Sequence, residues 1–275
     1  MNHHSIEGGG GLMLNAVETG PKGAPSILFV HGLSQTYDAW SGQLSSDLAE
    51  DLHLATFDLR GHGASEKPFE KEAYQNANLW AEDVRAVIER LGLTRPILVA
   101  WSFGGIVALD YLKQFEQEVA GLVLVGALTQ NAVKSAFEHL GEATSHLKDM
   151  FSNDFSTQYK ASKNFLALMT AAPLSNEAMS RQLAATMMTP PQVRFNLGSR
   201  KVDHTDTLQS LELPILCIHG DKDRVILPSS SQHTLTHTVN ATLELYKGIG
   251  HAPFLESPER FNNDLRAFMA RVNKV

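Results

Sequence analysis

The chain has 275 residues, 43% hydrophobic and 19% charged, enough for one large domain with an ample core or one domain carrying an insertion. A net charge of −7 and a pI near 5.9 argue against a nucleic-acid binder, which presents a basic face. No apolar stretch approaches the ~20 residues that cross a bilayer. The start, "MNHHSIEGGGGLMLNAVETG", lacks the basic and apolar regions of a signal peptide, so a cytoplasmic location is expected.

The first feature along the chain is the run Gly8–Gly11. It reads as a turn before the first strand rather than a phosphate cradle, because no strand precedes it and no helix follows. His3 and His4 are too few for a metal site. Ser26–Val30 ("SILFV"), Leu54–Phe57 ("LATF"), Ile97–Ala100 ("ILVA"), Leu122–Val125 ("LVLV"), Ile215–Ile218 ("ILCI") and Thr242–Tyr246 ("TLELY") read as buried strands. Most are unbroken Val, Ile and Leu runs, as in parallel sheets covered on both faces. Leu79–Leu91 places Leu79, Val84, Val87, Ile88 and Leu91 largely on one side of a helix. Phe261, Leu265, Phe268, Met269 and Val272 form an apolar helical stripe at the end of the chain. Alternating strands and helices predict an α/β fold with a mostly parallel sheet. The lone cysteine, Cys217, excludes an internal disulfide and reads as a small buried hydrophobe.

Residues 128–200 break this rhythm. They read as helical pieces punctuated by Pro173, Pro190 and Pro191, too long for a structureless loop. The expectation is a core built from 1–127 and 201–275 with a helical cap, 128–200, over the C-terminal edge of the sheet. Phe151, Phe155, Phe165, Leu166 and Met169 are candidate linings of a pocket beneath it, though their helical spacing suits cap core equally.

Chemistry enters at "ILVAWSFGGIVALDY", where Ser102 follows a strand and precedes a helix. Such a turn pushes the hydroxyl out at the end of the sheet and demands small residues two before and two after. Ala100 and Gly104 meet that demand; alanine in the first place adds one methyl group to the usual glycine, tolerable where its own φ is negative. A serine hydroxyl needs a base with an orienting acid, each on a loop after a later strand. "KGIGHAPF" offers His251 and "HGDKDRVILP" offers Asp223. Asp221, beside Gly220, suits a bond to nearby amides instead. No carboxylate follows Leu122–Val125 before Glu138, so the alternative position for the acid is empty. The amides of Phe103 and Leu33, the latter turned inward by His31-Gly32, are the expected donors to an oxyanion. His31 itself reads as structural.

The pieces "FVHGLSQTYDAW", "FDLRGHGASEKP", "VAWSFGGIVALDY", "IHGDKDRVILP" and "GIGHAPFLESPERF" together resemble the successive landmarks of the α/β-hydrolase superfamily, in its order, from Phe29 to Phe261. The resemblance implies that fold, with the helical cap inserted after the sixth strand, and gives Ser102, Asp223 and His251 the roles of nucleophile, acid and base. Arg60 and His62 fall in a landmark taken as loop-shaping. "WSFGG", "HAPF" and the cap segment "FSNDFSTQYKASKNFLALMT" resemble bacterial carboxylesterases, a group that includes pimeloyl-ACP methyl ester esterase. Ser102 in place of an aspartate argues against haloalkane dehalogenases and epoxide hydrolases.

The implied activity is hydrolysis of a small-molecule carboxylic ester through an acyl-enzyme, with no metal and no cofactor; no cysteine–histidine cluster has zinc spacing. Perhydrolase or haloperoxidase, lactonase, thioesterase and C–C hydrolase chemistry use the same triad, and a ligand-binding receptor on this fold is the non-enzymatic alternative. The cap holds seven Lys and Arg against five Asp and Glu, leaving the rest of the chain at −9. A mildly basic cap suits an acidic acyl carrier protein as partner, and suits a solvated helical face as well.

Overall fold

The computed structural model describes residues 1–272. Eight strands form one sheet: β1 (Asn2–Glu7), β2 (Met13–Thr19), β3 (Ser26–Val30), β4 (His53–Phe57), β5 (Ile97–Trp101), β6 (Gly121–Val125), β7 (Ile215–Gly220) and β8 (Ala241–Tyr246). Their order is β1-β2-β4-β3-β5-β6-β7-β8. β1 and β2 are antiparallel to their neighbours, and the other pairings are parallel. The expected α/β architecture is therefore present. The anticipated strands recur with ends displaced by at most two residues.

β3, β4, β5 and β6 are buried along their whole length. Alternation still operates within them, because successive side chains point to opposite faces. Leu28, Val30, Leu98 and Ala100 enter one core with Trp80, Val84, Val87, Ile106 and Leu109. These come from α1 (Ala77–Leu91) and α2 (Gly104–Phe115). Ile27, Phe29, Val99 and Trp101 enter the opposite core with Trp40, Phe254, Phe261, Leu265 and Phe268. Asn76 caps the start of α1 and Gly92, at φ +68°, ends it.

Three expectations need correction. β8 is an edge strand, half exposed, because Glu244 and Leu245 face outward with no further strand to cover them. A strand does precede the glycine run: β1 and β2 form a hairpin whose turn contains Gly8–Gly11. The segment between β6 and β7 is not wholly helical. Gln130–Asn131 pairs antiparallel with Val202–Asp203, so its two ends are stitched together where they leave the sheet. Between them lie short 3-10 turns and the helices α3 (Phe155–Ala167), α4 (Asn176–Met187) and α5 (Pro191–Gly198).

The hairpin turn is held by a buried ion pair. Arg60 bonds both oxygens of Asp83, at 2.7 Å each, and donates to the carbonyls of Gly9, Ala73 and Leu79; Asp83 also accepts from the Gly9 amide. This bears out the loop-shaping reading of Arg60. Removing one partner of such a pair leaves the other charge buried and uncompensated. Asp83→Leu is expected to lower unfolding free energy in urea by about 3–5 kcal/mol.

Candidate active site

Ser102 follows the last residue of β5 and has φ +54°, a conformation that is costly for a residue with a side chain. Backbone bonds hold it there. Its N–H donates to the Val125 carbonyl at 3.0 Å, and its carbonyl accepts from the Gly105 and Leu128 amides at 3.0 and 2.9 Å. The neighbouring strand β6 and the chain beyond it thus clamp both sides of the peptide. A Cβ on Gly104 would sit 2.6 Å from the Val30 carbonyl oxygen and 2.8 Å from that of His31, so glycine alone fits there. Ala100 is fully buried and is not among the residues at positive φ, which is why an alanine serves at that place.

His251 and Asp223 arrive on the loops after β8 and β7. The His251 Nδ1–H donates to Asp223 Oδ2 at 2.7 Å, with both side chains buried. The second oxygen, Oδ1, accepts from the Val225 and Ile226 amides at 2.8 and 3.0 Å. Burial pushes the Asp223 carboxyl up, but the adjacent His251 and His219 imidazoles outweigh it and bring the group down to about 2. Gly126, at φ +47°, closes over the pair: a Cβ there would lie 3.1 Å from both Asp223 Oδ2 and His251 Nδ1. Asp221 turns away and accepts from the Gly248 amide.

Ser102 and His251 line one cavity of about 190 Å³, with Leu33 and Phe103 in the same wall. The Leu33 and Phe103 amides meet no hydrogen-bond acceptor among the described residues. The loop carrying Leu33 is shaped by His31. Its Nδ1–H donates to the Gly32 carbonyl at 2.8 Å and its Nε2 accepts from the Leu59 amide at 3.0 Å. A ring that donates at one nitrogen and accepts at the other is neutral. Burial agrees, lowering His31 to about 4; it lowers the neighbouring His62 to about 3.

Phe151, Phe165 and Met169 line the cavity as anticipated. Phe155 does not. It opens α3, is 67% exposed, and its ring lies 6.1 Å from that of Tyr159 at a tilt of 30°, because its side of the first turn faces outward. Leu166 lies in the core beneath the cavity, not in its wall. Among the described residues no Lys, Arg, Asp or Glu lines the cavity. Its three amide side chains donate to protein groups: Gln35 to the Thr186 hydroxyl, Gln130 to Asp203 and Thr205, and Asn131 to the Leu197 and Arg200 carbonyls.

Three contributors escape a reading of sequence motifs. Met169 accepts the His251 amide on its carbonyl at 2.7 Å. Glu256 bridges the Gly250 and Ala171 amides at 2.8 and 2.7 Å. His219, fully buried, touches Asp223. Met169 acts through its carbonyl, which carries no residue-type signal, and the Glu256 carboxylate binds backbone amides, which leave no mark in the sequence. The third sits in an apolar strand, where a histidine looks like filler.

A family model for the alpha/beta hydrolase fold matches residues 25–258, and the chain belongs to that family. It is 27% identical to a bifunctional esterase/perhydrolase of Acinetobacter calcoaceticus, covering 91% of this chain and 93% of that one. It is 26% identical to a non-heme chloroperoxidase of Streptomyces lividans over the same shares. The crystal structure of the esterase RhEst1 from Rhodococcus sp. ECU1013 superposes with a TM-score of 0.93 at 32% identity, covering 99% of this chain and all of that one. The carboxylesterase-like resemblance and the hydrolase class stand on these matches together.

The neutral, buried His31 has a pH consequence. Its pKa is depressed on folding from 6.5 to about 4, so the unfolded chain binds a proton first as pH falls. Stability present above pH 6.5 is then lost toward pH 4, by about 3 kcal/mol if the whole shift acts. The expected outcome is a falling urea midpoint across that window, with a shallower fall in His31→Asn, whose amide keeps a donor and an acceptor but does not titrate.

Proposed function

We propose that the protein is a serine carboxylesterase acting on small to medium neutral esters through an acyl-enzyme. One observation carries this reading: a serine held at left-handed φ at a strand–helix turn shares an apolar cavity with a histidine bonded to a buried, ionised aspartate. In this reading Ser102 attacks the ester carbonyl while His251 takes its proton at Nε2, the nitrogen not bonded to Asp223. Asp223 holds the ring in that tautomer and stabilises its cationic form. The Leu33 and Phe103 amides receive the oxyanion, each worth about 3 kcal/mol of barrier, and the start of α2 behind Phe103 favours the negative charge. His251 then protonates the leaving alcohol, and water attacks the acyl-enzyme with the same base. The helical segment 128–200 serves as the cap and supplies the acyl wall through Phe151, Phe165 and Met169.

The cavity's lack of formal charge supports a neutral acyl group; burying an ionised one there would cost several kcal/mol. An acyl carrier protein as partner lacks support. Two of the cap's cations, Arg194 and Arg200, are fully buried, and the five exposed ones are balanced by five exposed carboxylates. Among the described residues no helix is long and apolar enough to cross a membrane.

A second reading follows from the Acinetobacter and Streptomyces relatives. Hydrogen peroxide would replace water as the acyl acceptor, giving a peracid from the same acyl-enzyme. The two are separated by partition: esters hydrolysed with and without peroxide, with peracid measured directly.

On a panel of p-nitrophenyl esters, Ser102→Ala is expected to reduce kcat by at least about 10⁴-fold while leaving the thermal transition in place. A fluorophosphonate should label the wild type at Ser102 and leave the variant unlabelled. Turnover surviving in Ser102→Ala would remove the serine from this role.

A further inference from the structure

His219 is the penultimate residue of β7, four positions before Asp223, and none of its surface is exposed. Its Nε2 lies 2.9 Å from the Ile226 carbonyl oxygen and 3.2 Å from Asp223 Oδ2; its Nδ1 lies 2.7 Å from Ser231 Oγ. A carbonyl only accepts, so Nε2 carries the proton and donates it to Ile226, with the N–H edge 3.2 Å from Asp223 Oδ2. In the neutral ring Nδ1 then accepts from the Ser231 hydroxyl. Ser231 is itself buried in α6 (Ser229–His237). The ring is therefore fixed in tautomer and orientation from both sides.

Seen from Asp223, Oδ1 takes two amides, and Oδ2 takes the His251 N–H with the His219 Nε2–H 3.2 Å away. The carboxylate is thus faced by donors on both oxygens, which favours its ionised form. The other ionisable groups near this centre are directed elsewhere. Arg224 donates to the Thr170 and Ala167 carbonyls, Asp221 binds the Gly248 amide, and burial pushes the Cys217 thiol up to about 12, keeping it neutral.

We propose that His219 is a positioning residue for the reaction: it holds the Asp223 carboxylate ionised and turned toward His251. The proposal rests on the reading of Asp223 and His251 as acid and base. Its logic is electrostatic. Oδ2 faces two imidazole N–H groups, the one of His251 bonded to it and the one of His219 3.2 Å away, so His251 feels only part of its charge. Take the His219 donor away and the whole charge of Oδ2 bears on His251, which raises the proton affinity of the Asp223–His251 pair. The carboxylate is then oriented only by the Val225 and Ile226 amides and by His251 itself.

The test compares wild type, His219→Phe and His219→Gln as folded full-length chains. It reads the pH profile of kcat/KM on a p-nitrophenyl ester, the low-field proton resonance of the His251 Nδ1–H, and fluorophosphonate labelling of Ser102. His219→Phe is expected to lower kcat by roughly 10- to 100-fold, as removal of a supporting-shell partner does elsewhere, with KM changed by less than about twofold. Its acid limb should move to higher pH by about half a unit or more, and the low-field resonance should shift. His219→Gln, which offers an amide N–H in place of Nε2–H, should return both the limb and most of kcat. A folded, labelled His219→Phe protein with an unmoved limb and unmoved resonance would overturn the proposal. Should that variant not fold, Ser231→Ala takes its place. It releases the ring's second anchor and should move the limb in the same direction by less; no movement overturns the proposal. A wild type that the phosphonate does not label, together with an active Ser102→Ala, removes the triad reading and this proposal with it, and that result is distinguishable because it does not involve His219.

Discussion

A serine with a left-handed backbone at the end of a central strand does not stay there by its own preference. Ser102 is held by three backbone bonds, one to the last residue of β6, one to Leu128 just beyond it, and one to the helix that follows. That constraint sets the requirements around it. β6 must run beside β5 in register, with Trp101 opposite Val125. Gly104 must be bare so that α2 can pass over β3. The apolar cores on both faces keep these strands where the clamp requires them, and the strain at one residue is small against that burial.

The same clamp connects the sheet to the inserted segment. Leu128, which bonds Ser102, is two residues from the short pairing that stitches the insertion's ends. Asn131 then ties that pairing to the Leu197 and Arg200 carbonyls. Arg200 forms a buried pair with Asp110 on α2, joined by His204. On the far side, Met169 and the Glu256 bridge fasten the insertion to the loop of His251. The insertion is thus bolted beside both the proposed nucleophile and the proposed base, and the cavity lies between the two fastenings.

How much of this was legible in the sequence depends on which forces were at work. Val, Ile and Leu runs mark the central strands because a strand covered on both faces has to be apolar throughout. The edges lack that signal. "NHHSIE" buries only Ile6 completely, and "TLELY" alternates irregularly because nothing packs on its outer side. Ser102, Asp223 and His251 could be picked out because the proposed reaction needs those residue types at strand ends in that order. His219, Glu256 and the Met169 carbonyl that seats His251 escaped a reading of the sequence, because their contributions depend on what the fold places next to them. Phe155 shows the converse. Helical spacing alone could not tell the cavity wall of α3 from its outer face.

The division between chemistry and selection follows from which atoms do each job. Met169 supplies both a wall of the cavity and a seat for His251, yet the seat is its carbonyl and the wall is its side chain. A change of side chain at 169 therefore reshapes the cavity without unseating His251. Phe151 is different. Its ring lies 3.0 Å from where a Cβ on Gly198 would stand, so α5 approaches only because residue 198 has no side chain. The size of the cavity there is set by a pair of residues in contact, and neither can change alone without opening a void or forcing the helix away. Under the proposed reaction, selection between acyl groups is accordingly separable from the proposed triad on the Met169 side, and coupled to the packing of the insertion on the Phe151 side.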